Sequence, residues 1–155
     1  MKGNFVNTGG AVLVASLFAV STPALAQSMI WSAPEAQNAM ENDQVLMLDI
    51  RSPGEWDETG IAQGALPVSM HTPDFSTNLT RILAQSNGRK IALICATGGR
   101  TEYVIKVLEK NGISGLVDVS EGMIGNQRGP GWIARGLPVV DKAAALELFA
   151  TTIRP

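Results

Sequence analysis

Two apolar runs of strand length, Val45-Leu46-Met47-Leu48-Asp49-Ile50 and Lys90-Ile91-Ala92-Leu93-Ile94-Cys95, set the tightest limit on what this chain can become. Each is almost continuously apolar, the pattern of a strand covered on both faces rather than the alternation of a half-exposed antiparallel sheet. Asn42-Asp43 before the first run and Ser52-Pro53-Gly54 after it supply turn residues. The second run passes through the small-residue loop Ala96 to Arg100 into a segment from Thr101 to Lys110, where Val104, Val107 and Leu108 share one helical face. Asn111-Gly112 ends that helix, and Gly115 to Val119 is a further strand. Phe75 to Ala84 carries Leu79, Ile82 and Leu83 at helical spacing, and Asp141 to Phe149 reads as an alanine-rich closing helix. Leu66 to Met70 is a weaker strand suited to an edge, because Pro67 has no ladder donor. Ser32-Ala33-Pro34-Glu35 is a capping box that opens a short helix toward Met40. Gly122 to Gly136 has too little periodicity for an element and is read as a loop. Strands alternating with helices require an α/β domain with a mostly parallel sheet flanked by helices.

Composition then removes several function classes. With 155 residues there is room for one domain, and 12 basic against 14 acidic residues leave no electrostatic footprint for nucleic acid. The chain has one cysteine, Cys95, and one histidine, His71. A zinc site of the usual Cys/His ligands cannot be assembled, nor can an intramolecular disulfide, so neither a metal nor another cofactor is expected.

The first 26 residues read as an export signal: Lys2, an apolar core from Ala11 to Val20, then Ala24-Leu25-Ala26 as an A-x-A cleavage pattern. The core is about ten residues, half of the roughly 20 that a bilayer span needs, which argues against the alternative of an uncleaved anchor. The expected product is residues 27–155, periplasmic or secreted, touching the membrane only through its signal. Its core would run from about 31 to 140, followed by a helix over 141–150.

Cys95 stands where open α/β sheets bind ligands, at the carboxyl end of a strand. Ala96, Thr97, Gly98, Gly99 and Arg100 follow it and lead into a helix, so backbone amides and the helix N-terminus face the sulfur. Such surroundings favour the nucleophilic thiolate, and Arg100 adds a fixed positive charge. The opposing interpretation is that Cys95 merely ends a buried strand, since free cysteine is among the most buried residue types. Paired glycines and an arginine beside the cysteine favour reactivity.

These residues carry a resemblance. Cys95-Ala96-Thr97-Gly98-Gly99-Arg100 resembles the C-x-x-G-x-R active loop of single-domain rhodaneses. Asp49-Ile50-Arg51-Ser52-Pro53-Gly54-Glu55-Trp56 is similar to the upstream D-x-R-x-x-x-E-[FYW] motif, and Glu121 through Val139 is similar to the closing G-G-x-x-x-W-x-x-x-G-x-P-V, with insertions. The resemblance spans about Trp31 to Val140. It implies a rhodanese-like α/β fold with about five strands, mostly parallel. It also implies a sulfurtransferase in which Cys95 takes the outer sulfur of thiosulfate or a similar donor, carries it as a persulfide, and passes it to cyanide or a thiol. The amides of 96–100 would cradle that persulfide. The six-position loop is the sulfurtransferase size, one residue shorter than that of related phosphatases.

Two departures stand out. Many relatives have a basic or polar side chain directly after the cysteine, where this chain has Ala96, and Gly60 occupies the place of a histidine in a G-H-I-x-G-A segment. Arg100 either touches substrate or braces the loop against a carboxylate. Asp49 and Arg51 are expected to support the active loop as a hydrogen-bonded scaffold pair. A catalytically idle module that binds a partner or passively carries sulfur is the leading alternative, and a redox-sensing thiol, which would need a resolving cysteine from another molecule, is the second.

Overall fold

The computed structural model describes Gly3 and residues 28–153. The expected export signal and its cleavage point therefore lie outside the described residues, Gly3 aside.

Five strands form one parallel sheet in the order β1-β6-β5-β2-β4. They are β1 (Met29–Trp31), β2 (Val45–Asp49), β4 (Leu66–Pro67), β5 (Lys90–Ile94) and β6 (Val117–Val119). The two apolar runs of the sequence are the adjacent inner strands, paired from Val45↔Lys90 to Asp49↔Ile94. Alternation along each sends side chains into opposite layers. Met47 and Ile94 pack with Ala33, Ala36 and Ala39 of α1 (Ala33–Glu41). Leu48, Leu93 and Cys95 pack with Leu79 and Ile82 of α3 (Phe75–Ala84) and with Val104 and Ile105 of α4 (Gly99–Lys110). Cys95 thus belongs to the α3/α4 layer, at the carboxyl end of a central strand.

Two helices begin with the same device. Ser32 caps α1 and Ser52 caps α2 (Pro53–Thr59), and in each the serine hydroxyl accepts from the amide of a glutamate three residues on, Glu35 or Glu55. Each glutamate in return accepts from its cap residue's amide, at 2.7 Å in α1 and 2.9 Å in α2. Proline at the start of both helices supplies the fixed φ without the loss of a needed donor.

The structure differs from the sequence reading mostly at element ends. The edge strand stops at Pro67 instead of reaching Met70, and β6 starts at Val117, not Gly115. Helix α4 starts at Gly99, two residues before Thr101, and the closing helix α6 (Lys142–Thr152) runs past Phe149, with Asp141 as its N-cap. The stretch read as a loop holds a four-residue helix, α5 (Gly131–Ala134). A two-stranded antiparallel ribbon of β3 (Ile61–Ala62) and β7 (Val139–Val140), and the edge strand β1, were not anticipated. Runs of two or three residues carry no period to detect. No helix among the described residues is long and apolar enough to cross a membrane.

Candidate active site

Cys95 is fully buried, and the residues around it divide into two sides. The loop itself turns through Gly98, whose φ of 83° is left-handed. A Cβ at that position would collide with the Ser120 carbonyl oxygen, so glycine is required both by conformation and by space. The turn brings the Gly98 amide to the sulfur, donating to Cys95 Sγ at 3.1 Å. It is the one backbone amide bonded to the sulfur among the described residues. Thr97 and Gly99 are exposed, while Ala96 and Gly98 are buried.

On the α2 side, Arg100 is held by Glu55. Arg100 Nη1 donates to Glu55 Oε2 at 2.8 Å and Nη2 to Glu55 Oε1 at 2.5 Å, a two-pronged pair. The Arg100 hydrogen bonds draw the Glu55 carboxyl down to about 2, with further help from the Ser52 cap and against partial burial. Arg100 is in turn held above its ordinary value, first by the Glu55 hydrogen bond and, more weakly, by the Cys95 sulfur. Arg100 therefore braces the loop against a carboxylate. His71 Nε2 lies 3.3 Å from Arg100 Nη1, and because a guanidinium only donates, the imidazole accepts there.

Asp49 and Arg51 sit one element further away. Both are buried, and Arg51 donates to the two Asp49 carboxylate oxygens, to Thr59 Oγ1 at 2.7 Å and to the Gly60 carbonyl at 2.7 Å. The pair ties the carboxyl end of β2 to the last turn of α2 and makes no bond to residues 95–100. Its support of the loop runs through α2, which carries Glu55.

On the β6 side, the chain after the strand wraps the loop. The Met123 amide donates to the Cys95 carbonyl at 2.8 Å and the Ile124 amide to the Ala96 carbonyl at 2.9 Å. Gly122, at φ 68°, lies so close that a Cβ would strike the Ala96 carbonyl oxygen. Asn126 Nδ2 donates to the carbonyls of Thr97 and Ser120, at 2.7 and 2.8 Å. Thr101, the second residue after Gly99, points its hydroxyl toward Asp118 of β6, 2.6 Å away, and lies 4.0 Å from Cys95 Sγ. A cavity of about 270 Å³ opens here, lined by Thr97, Gly98, Gly99, Ser120, Asn126 and Arg128 among others.

The sequence reading did not single out Thr101, Asp118 or Asn126, and it had Glu121 only as the start of the closing motif, without its contacts. Glu121 is buried and accepts from the Ala33 amide at 2.6 Å, the Gly131 amide at 2.9 Å and Arg135 Nε at 2.9 Å. Burial pushes its carboxyl up, but those three donors together outweigh it and leave the group below its ordinary value. One carboxylate thereby fixes the segment that wraps the active loop to the start of α1. No local spacing marks such a residue, since its partners lie up to 88 positions away. Trp132 is a core anchor, fully buried with its Nε1 donating to the Pro138 carbonyl at 2.9 Å.

Residues 32–125 match the family of rhodanese-like domains. A protein of Allochromatium vinosum named sulfurtransferase is 27% identical over 105 residues, covering 68% of this chain and 87% of its own. The rhodanese-like domain of the Anabaena protein Alr3790 superposes with a TM-score of 0.56 at 20% identity, covering 78% of this chain and 80% of that one. The homodimeric polysulfide-sulfur transferase of Wolinella succinogenes gives a TM-score of 0.50 at 23% identity, covering 75% and 80%. These two structural likenesses are likenesses of fold.

Proposed function

This chain belongs to the rhodanese-like domain family, a family of sulfurtransferase type, and from that premise we propose that it moves sulfane sulfur from a thiosulfate-type donor to a thiophilic acceptor through a persulfide on Cys95. In the first half-reaction the Cys95 thiolate attacks the outer sulfur of the donor. A new S–S bond forms at Cys95, the S–S bond of thiosulfate breaks, and sulfite leaves with the bonding pair. In the second, a thiol or cyanide attacks the outer persulfide sulfur and the Cys95 thiolate is regenerated.

The single observation that carries the reading is the Gly98 amide aimed at Cys95 Sγ in a loop whose next cation, Arg100, is already spent on Glu55. An amide donor favours negative charge on sulfur, and a paired arginine keeps the turn closed around it. Ala96 offers no charge to the sulfonate of thiosulfate, and both Arg100 Nη atoms are committed, so the proposal includes weak thiosulfate binding and room for another donor. The reading extends to location: cleavage after Ala26 would release residues 27–155 outside the cytoplasm.

One observation favours the idle-module reading, namely that Cys95 has no exposed surface. On the catalytic reading the loop at the exposed Thr97 and Gly99 must yield before a donor reaches the sulfur.

The test is the intact mass of the purified domain after thiosulfate, before and after a reducing thiol. The expected result is a gain of one sulfur atom that the thiol removes and that Cys95→Ala never acquires. Sulfur transfer by Cys95→Ala, or no loading from thiosulfate, polysulfide or a thiol persulfide, would overturn the proposal.

A further inference from the structure

Between Gly122 and Trp132 the closing motif is longer than its pattern, with residues 123–131 standing where the pattern has three positions. The middle of that stretch is a tight turn. The Gly129 amide donates to the Asn126 carbonyl at 3.2 Å and the Asn126 amide to the Gly129 carbonyl at 2.9 Å, so Gln127 and Arg128 form the tip. One side chain ties the turn to the cysteine loop. Asn126 Nδ2 donates to the Thr97 and Ser120 carbonyls, and Asn126 Oδ1 accepts from the Arg128 amide at 2.6 Å. Gly129 fixes the other end, where a Cβ would strike the buried Glu121 carboxylate. Arg128 is thereby brought beside Thr97, Gly98 and Gly99, with which it lines the cavity of about 270 Å³.

The guanidinium at this tip is uncommitted. Arg51, Arg100 and Arg135 each hold a carboxylate at hydrogen-bond distance. Among the described residues the Arg128 side chain makes no hydrogen bond, its one ion pair is with Asp118 Oδ2 at 3.9 Å, and it is 49% exposed. Glu102 is the other charged residue on the cavity, and its carboxylate accepts from Lys106 Nζ at 2.7 Å, one turn further along α4. Five N–H donors in a planar fork, none of them used, match the oxygens of an oxyanion. The cavity also lies where a donor must arrive. Cys95 has no exposed surface, Thr97 and Gly99 are exposed, and between them the Gly98 amide sits on the sulfur at 3.1 Å.

We infer that Arg128 is the specificity-determining residue of this site, holding the anionic head of a sulfur donor while the donor's sulfane sulfur meets Cys95. The inference rests on the sulfur-transfer reading for the identity of the substrate, and it narrows the donor to sulfur compounds that carry an oxyanion, such as the sulfonate end of thiosulfate. Ala96 and the committed Arg100 leave that charge unmet within the loop, and the turn after β6 supplies it from a different element. A half-exposed guanidinium holds an anion loosely, because water screens the charge and competes for its donors. That agrees with weak binding of thiosulfate.

The test reads charge selection at Cys95 without any sulfur donor. With a single cysteine in the chain, thiol alkylation by anionic iodoacetate and by neutral iodoacetamide reports on Cys95. Both reagents lose iodide to the same thiolate, so the ratio of their rate constants cancels any change in thiolate content and keeps the charge preference. For the full chain, Arg128→Gln is expected to lower the iodoacetate-to-iodoacetamide ratio about threefold, the size of one unit charge acting over a few ångströms through water. Arg128→Glu, which reverses the charge, should lower it about tenfold, and Arg128→Lys should keep most of it. Arg81→Gln, exposed on α3, changes the net charge equally and is expected to leave the ratio as it is. An unchanged ratio in Arg128→Gln and Arg128→Glu, an equal fall in Arg81→Gln, or a parent cysteine closed to both reagents would each overturn the assignment. Sulfur loading from thiosulfate, measured by mass on the same samples, separates the two ideas. A parent whose ratio depends on Arg128 but which takes sulfur from no donor refutes sulfur transfer and leaves the anion site standing. A parent that loads sulfur with a ratio indifferent to Arg128 does the reverse.

Discussion

Glu55 and Asp118 flank the same cysteine loop and are driven in opposite directions. Glu55, on the α2 side, is partly exposed and gripped by both prongs of Arg100, and its carboxyl falls to about 2. Asp118, on the β6 side, is buried, meets a hydroxyl instead of a close cation, and is pushed up. The balance of burial and hydrogen bonding decides where a carboxyl goes: the guanidinium hydrogen bonds draw Glu55 down against partial burial, whereas burial raises Asp118 against the opposing pull of the Thr101 hydroxyl.

The most damaging way to break this comparison is Gly98→Ala, because Gly98 serves both sides with one residue. Its amide meets the sulfur and its carbonyl meets Thr101, while an added Cβ meets Ser120. Steady-state sulfur transfer is expected to fall by at least about a hundredfold, since misplacement by an ångström alone costs that much.

Next in size, Glu55→Gln removes the anion but keeps the side chain's shape. Sulfur transfer should fall about tenfold, and urea unfolding at neutral pH should show a loss of about 1–2 kcal/mol, discounted for solvent screening. The sign follows from the lowered carboxyl. Its stabilisation is full above the ordinary value of 4.5 and is lost as pH falls toward about 2, so the parent and variant stabilities should converge over that window. A constant difference across it would detach Glu55 from the acid response.

Asp118→Asn should move stability the other way. A carboxyl raised by burial favours folding when protonated and opposes it when ionised, so at neutral pH the variant is expected to be more stable by up to about 1 kcal/mol. That gain should vanish as pH falls below the ordinary aspartate value of 3.8. Loss of stability at neutral pH would make the two acids alike and end the contrast. The smallest effect is expected from Lys142→Ala, which removes an exposed pair with Asp57 far from the loop. Both activity and stability should stay within about 0.5 kcal/mol of the parent.

The central strands, the helices α1, α3, α4 and α6, and the cysteine loop were legible because each rests on local patterns. Apolar runs, i, i+3, i+4 spacing and capping boxes are read within a window of a few residues. Asp49-Arg51 was legible as a pair, being two residues apart, but not its attachment to Thr59 and Gly60, which depends on how α2 returns along the sheet. Thr101–Asp118 joins residues 17 apart across two elements and Arg100–Glu55 residues 45 apart. For such pairs the sequence carries residue types but not the juxtaposition, which only the parallel order β6-β5-β2 creates. The fold thus brings Glu55 to Arg100 and Asp118 to Thr101, two juxtapositions that no spacing announces.

Ser32/Glu35 and Ser52/Glu55 are the same capping box twice, but only the second glutamate is shared with the active loop. Fraying of the first turn of α1 frees Ser32 and Glu35 and reaches the active loop only indirectly, through the Ala33 amide on Glu121. Fraying of α2 releases Glu55 and, with it, the hold on Arg100. Local opening of one short helix and unlatching of the cysteine loop are therefore a single event with a single free energy. Amide protons at the start of α2 and in the loop should exchange with solvent in concert.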